Sequence, residues 1–121
     1  MNKKAWKRLS SVDKNARIAE LCGWKSIHNT RSSGLVGTRP LDNMEAAVPD
    51  YVNDLNAICD ACRRKWEELG MAWQVRYDGC LYSVIGHHDH MEHEAIHSTA
   101  SQRSEAFALI MGSEDEPLTM G

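Results

Sequence analysis

The sequence predicts a small single α+β domain in which helices pack on an antiparallel sheet. Three features carry that prediction. Apolar residues recur every three or four positions at Val52, Leu55, Cys59, Cys62, Trp66 and Leu69, the period of an amphipathic helix. Helix-capping pairs stand at Ser10 with Asp13 and at Thr99 with Gln102. Asp78-Gly79 lies inside a run rich in aromatic and β-branched residues, the pattern of a two-residue hairpin turn.

Residues 1–11 form a basic arm bearing Lys3, Lys4, Lys7 and Arg8, in which Trp6 and Leu9 are positioned to dock on the body or on a neighbouring subunit. The domain itself spans residues 12–112. Its first helix runs from about Val12 to Cys22, with Ile18, Leu21 and Cys22 on one stripe. Gly23 suits the left-handed position that ends a helix, and Trp24 closes the motif by packing back. Trp24 to His28 is expected to form a short strand, and Asn29 to Pro40, rich in Gly and Ser, a loop. The long helix is expected over Asp50 to Leu69, with Asp50 as its cap and Gly70 as its stop. A hairpin turning at Asp78-Gly79 would place Trp73, Val75, Tyr77, Cys80, Tyr82 and Val84 on the core face. Its other face would be half apolar, with Arg76 among Gln74, Leu81, Ser83 and Ile85. A last helix follows Thr99, with Ala106, Phe107 and Ile110 inward. Residues 113–121 are expected to be an acidic, disordered tail.

Composition excludes several function classes. A length of 121 residues and a formal charge of −3 describe one ordinary domain without the basic footprint of a duplex nucleic-acid binder. No apolar run approaches a membrane span of about 20 residues, and no apolar segment follows the basic start as a secretory leader requires. Four cysteines without an export signal point to free thiols in a reducing cytosol.

Few residue patterns carry chemistry. His87, His88, His90, His93 and His97 crowd one segment, and imidazole is a good ligand for zinc, nickel or copper. The His93-Glu94-x-x-His97 spacing matches that of zinc proteases, but the segment reads as a connection rather than the helix that chemistry requires. No native metal site and no cofactor is expected. Cys59-x-x-Cys62 falls mid-helix on the apolar stripe, where free cysteine ordinarily serves as a small core residue. Asn53, Asp54 and Asn56 crowd a first helical turn, where capping accounts for part of their polarity. No catalytic triad, carboxylate pair or phosphate-binding glycine loop stands out, so no enzyme is expected.

Three stretches nevertheless carry a resemblance. Pro49-Asp-Tyr-Val-Asn-Asp-Leu-Asn-Ala57, Ser98-Thr-Ala-Ser-Gln-Arg-Ser-Glu-Ala-Phe107 and Ile18-Ala-Glu-Leu-Cys-Gly-Trp24 resemble the phage ABA-sandwich family of small phage and prophage proteins. The resemblance covers about residues 16 to 112. It implies an α+β sandwich and a bacterial host cytosol. By analogy with the anti-Thoeris accessory proteins of phage, it implies a homo-oligomer that sequesters a cyclised ADP-ribose or cyclic oligonucleotide signal, and so antagonises host defence. The basic arm, the histidine cluster and the acidic tail depart from that pattern. A sponge of this kind needs cations for phosphate and aromatic faces for a base, without any catalytic group. Arg31, Arg76, Tyr82, His88 and Arg103, on the expected hairpin and its flanks, are the candidate ligand residues. The alternatives are a protein-interaction module that inhibits a host protein and a metal-binding protein built on the His87 to His97 cluster.

Overall fold

The computed structural model describes residues 3–32, 34–86 and 98–115, the last three as backbone only. The chain is a small α+β domain whose elements run α1 (Lys3–Arg8), α2 (Ser11–Leu21), β1 (Lys25–Thr30), β2 (Gly34–Thr38), β3 (Glu45–Ala47), α3 (Leu55–Leu69), α4 (Met71–Ile85) and α5 (Ala100–Asp115).

The basic arm is helical and docks on the body. Trp6 is 1% exposed, the Lys14 ammonium lies 5.6 Å from its ring centroid, and Lys3 Nζ donates to the Ser83 carbonyl. α2 begins as expected, with the Ser10 hydroxyl accepting from the Asp13 amide. It ends in a Schellman motif: Trp24 N–H donates to Ala19 O and Gly23 N–H to Glu20 O, with Gly23 at φ +96°.

The loop expected over Asn29 to Pro40 is largely sheet. β1 pairs antiparallel with β2, Thr30 opposite Gly34 and His28 opposite Val36, and β2 pairs antiparallel with β3. Gly34, at φ +72°, lets the chain turn back so early. Gly37 lets the strands close: a Cβ there would meet Ile27 Cγ1 at 3.0 Å and the Lys25 carbonyl at 3.1 Å. Polar, Gly-rich composition suggested a loop because only Val36 among these strand side chains is fully buried. The usual alternation of apolar and polar residues is therefore missing.

α3 starts four residues later than the Asp50 cap predicts. Asp54 is the cap, accepting from the Asn56 and Ala57 amides. Asp50 instead anchors a turn: its carbonyl accepts from Asn53 N and Asp54 N, and its carboxylate accepts from Asn15 Nδ2 and Asn53 Nδ2. Asn15 Oδ1 in turn accepts the Val52 amide. This turn drives Tyr51 and Val52 into the core. It also accounts for the polarity of Asn53 and Asp54 without a ligand.

The expected hairpin at Asp78-Gly79 does not exist. Residues 71–85 form one helix, α4. The left-handed glycines are Gly70 at φ +82° and Gly86 at φ +102°, which bound the segment, and Gly79 is not among them. A type I′ turn demands positive φ at both central residues. Within the helix, Asp78 accepts from Gln74 Nε2 one turn earlier. Trp73, Tyr77 and Leu81, four apart, make its buried stripe.

The core is accordingly helix against helix. Trp73 stacks on Tyr77 at 5.2 Å and meets Phe107 edge-on at 6.1 Å. Its indole N–H points to Met111 Sδ. Ile18, Ile58 and Phe107 have no exposed surface. α5 opens with the expected capping box, Thr99 N–H to Gln102 Oε1 and Gln102 N–H to Thr99 Oγ1. Its backbone stays helical to Asp115, past the predicted start of the tail. Among the described residues no helix is long and apolar enough to cross a membrane.

Candidate functional site

An open groove of about 390 Å³ lies between α3, the end of α2 and the turn between β2 and β3. Three segments build it, each for a local reason. The Schellman turn at Gly23 swings Trp24 back onto the body, where it is 9% exposed. The Asp50 turn brings Pro49 and Tyr51 to the same wall. One face of α3 presents Ala57, Asp60, Ala61, Arg64, Lys65 and Glu68. Across from them stand Arg39, Pro40 and Leu41, and Leu41 is 75% exposed.

The floor is held from below. The Tyr51 phenol is in hydrogen-bonding contact with the Cys22 thiol and the Trp24 indole, and Ser104 Oγ donates to the Tyr51 carbonyl at 2.9 Å. Burial, and then the nearby Cys22 sulfur, push the Tyr51 phenol above its ordinary range. Burial raises the Cys22 thiol to about 11, against the opposing pull of Lys65. Both groups therefore stay protonated near neutral pH, and the floor carries no charge.

The charges sit on the rim. Arg39 makes a two-pronged pair with Asp42, at 3.1 Å and 2.6 Å. Arg64 Nε lies 3.0 Å from Asp60, and Lys65 Nζ 3.3 Å from Glu68. The Arg63 guanidinium beside Asp60 holds its carboxyl below the usual carboxylate range. These pairs are exposed, except that the Lys65 side chain is only 13% exposed, and so contribute little to stability. Each carboxylate is one that a bound anion can replace, and an arginine accepts phosphate in the same forked geometry. Arg39, Arg64 and Lys65 against Asp60 and Glu68 leave the lining one positive charge in excess.

None of the sequence-predicted ligand residues that the structure describes lines this groove. Arg31 is exposed on the turn after β1. Arg76 and Tyr82 lie on α4, so the hairpin that was to present them is absent. Arg103, on α5, reaches Cys59 of α3. His88, with the rest of the His87 to His97 cluster, lies outside the described residues. Among the described residues no three His, Cys, Asp or Glu side chains are grouped to hold a metal. The sequence marked Trp24 only as a helix-closing residue, and Arg39 fell within the expected Asn29 to Pro40 loop. Arg64 and Lys65 fall between Cys62 and Trp66, off the apolar stripe of the expected long helix, and carried no separate signal. The β2–β3 turn, most of which lies beyond the loop expected to end at Pro40, gives their face of α3 an opposite wall.

No protein-family model, no curated protein and no solved structure matches the chain.

Proposed function

We propose that this protein is a non-enzymatic binder of a small nucleotide-type anion, held in the groove between α3 and the β2–β3 turn. The observation that carries the reading is the pairing of a neutral floor at Trp24 and Tyr51 with three rim cations, Arg39, Arg64 and Lys65. Apolar walls with a few placed polar groups are the usual make-up of a small-ligand site, and a planar base beside aromatic rings with phosphate on arginine suits this one. The one thiol lining the groove is held protonated near neutral pH, so it is not an activated nucleophile. Capture of a soluble signal, such as a cyclised ADP-ribose or a cyclic oligonucleotide made by a host immune enzyme, is the role that needs only this equipment. In that role the protein would antagonise anti-phage defence.

The test is calorimetric titration of the protein with cyclic nucleotides and ADP-ribose cyclisation products. One class should bind. Arg64→Ala with Lys65→Met should then weaken binding by about 1.5–3 kcal/mol for each charged hydrogen bond to the ligand that the change removes, with the fold retained. Arg31→Ala and Arg76→Ala should bind as the parent does. If no nucleotide binds, or the groove double variant binds unchanged, the reading fails.

A further inference from the structure

A second polar cluster lies away from the groove lining, where α3, α4 and α5 meet. Cys59 and Cys62 are one turn apart on α3 and both are half-buried rather than sealed in the core. Arg103 Nη1 on α5 donates to Cys59 Sγ at 3.5 Å. Tyr77 on α4 is 4% exposed, and its hydroxyl lies beside the Cys62 sulfur without a complete hydrogen bond to any group among the described residues. A buried hydroxyl in that state is destabilising, and packing alone does not explain it. A core cysteine needs neither a guanidinium nor a stranded donor.

We propose that Cys59 is an oxidant-sensitive thiol, converted by a hydroperoxide to a sulfenic acid that Cys62 then captures as a disulfide. In the first step Cys59 sulfur attacks the terminal peroxide oxygen. The O–O bond breaks, the sulfur is oxidised, and the alkoxide half takes the thiol proton and leaves as an alcohol, or as water when the oxidant is hydrogen peroxide. Arg103 Nη1 donates to the reacting sulfur, and the Tyr77 hydroxyl is a donor for the departing oxygen. In the second step Cys62 sulfur attacks Cys59 sulfur, and the Cys62 proton leaves with the hydroxyl as water. Burial holds the Cys62 thiol up at about 12, so Cys62 gives up its proton to the departing hydroxyl only as it attacks. Helical neighbours three apart have Cβ atoms about 5–6 Å apart, while a disulfide needs about 4 Å. A local tightening to a 3₁₀ turn eclipses such a pair. Cys59 lies in the second turn of α3, close enough to its start for that to be accommodated.

The experiment is mass spectrometry of the reduced, full-length protein after limiting hydrogen peroxide, with Cys80, also half-buried, as internal reference. The expected result is loss of two hydrogens, a mapped Cys59–Cys62 link, and oxidation of Cys59 ahead of Cys80. With Cys62→Ser, Cys59 should accumulate as a dimedone-reactive sulfenic acid. Removing a placed donor commonly slows a reaction on the order of a hundredfold, so Arg103→Met should slow Cys59 oxidation by at least about tenfold. Tyr77→Phe, which keeps the ring and its packing, should slow it too and melt no lower than the parent. Cys59 reacting no faster than Cys80 in the unaltered protein, or a disulfide joining other cysteines, overturns the proposal. An unchanged rate in Tyr77→Phe removes the tyrosine's part. Nucleotide binding does not enter any of these readouts.

Discussion

Asn15 shows how much one side chain can organise. It bridges Asp50 Oδ1 and the Val52 amide from α2, and is 9% exposed. Without it the Val52 N–H is left buried and unsatisfied. Asn15→Ala should therefore cost about 1–3 kcal/mol in urea unfolding. On the proposed function it should also weaken ligand binding, because the turn it braces carries Tyr51. Asp54→Ala removes only the α3 cap and should cost about 0.5–2 kcal/mol. Both roles were half visible in the sequence: the polar cluster around Asn53 was marked as capping, but Asn15, 37 positions before its Val52 partner, gave no local sign.

α4 offers the sharpest test of the element assignments. Gly79 sits inside an exposed stretch of helix, with nothing within 4 Å of an added Cβ. Gly79→Ala should stabilise the protein by about 0.5–1 kcal/mol, seen as a raised urea midpoint. Were residues 78–79 a type I′ turn, the same change would destabilise, since alanine resists positive φ. The aromatic and β-branched content of residues 71–85 suggested strands because that composition suits a pleated surface. It is equally the content of a helix with a stripe of Trp73, Tyr77 and Leu81 against Phe107. Short apolar runs do not distinguish the two periods. The signal that does is the pair of left-handed glycines at Gly70 and Gly86, which enclose fifteen helical residues.

Across the whole molecule the buried acids set the alkaline limit of stability. Cys22 and Cys62 are raised from 9.0 to about 11 and about 12, chiefly by burial. The Tyr51 and Tyr77 phenols are also raised by burial from 10.0. For each group the folded value exceeds the unfolded one, so the folded state binds the proton more tightly. That stability is whole below pH 9 and falls away as pH rises through the folded values. Melting temperature should thus drop steadily between pH 9 and 11, and Cys22→Ala with Cys62→Ala should flatten the slope even if both changes lower the starting value. A slope unchanged in the double variant would mean that other groups titrate there. The core predicts its own hot spot: Phe107→Ala, at the junction of α4 and α5, should cost about 3–5 kcal/mol.

What the chain alone settles is whatever depends on near neighbours. The α2 caps, the Gly23 stop, the Thr99–Gln102 box and the inward face of α5 are hydrogen-bond and packing patterns complete within a few residues, and the fold keeps all of them. The α+β class survives too, although its sheet lies at residues 25–47, where only the strand at Trp24 to His28 was expected, and not at 71–85. Tertiary structure decides the rest. A half-exposed sheet has no alternation to display, and an apolar segment of α4's length takes the form its partners reward, here the aromatic surface of α5. The groove belongs wholly to this second kind. Its walls come from residues 22–24, 39–41, 49–51 and 57–68. Each is explained locally as a stop, a turn or a solvated face, and only their convergence gives a site.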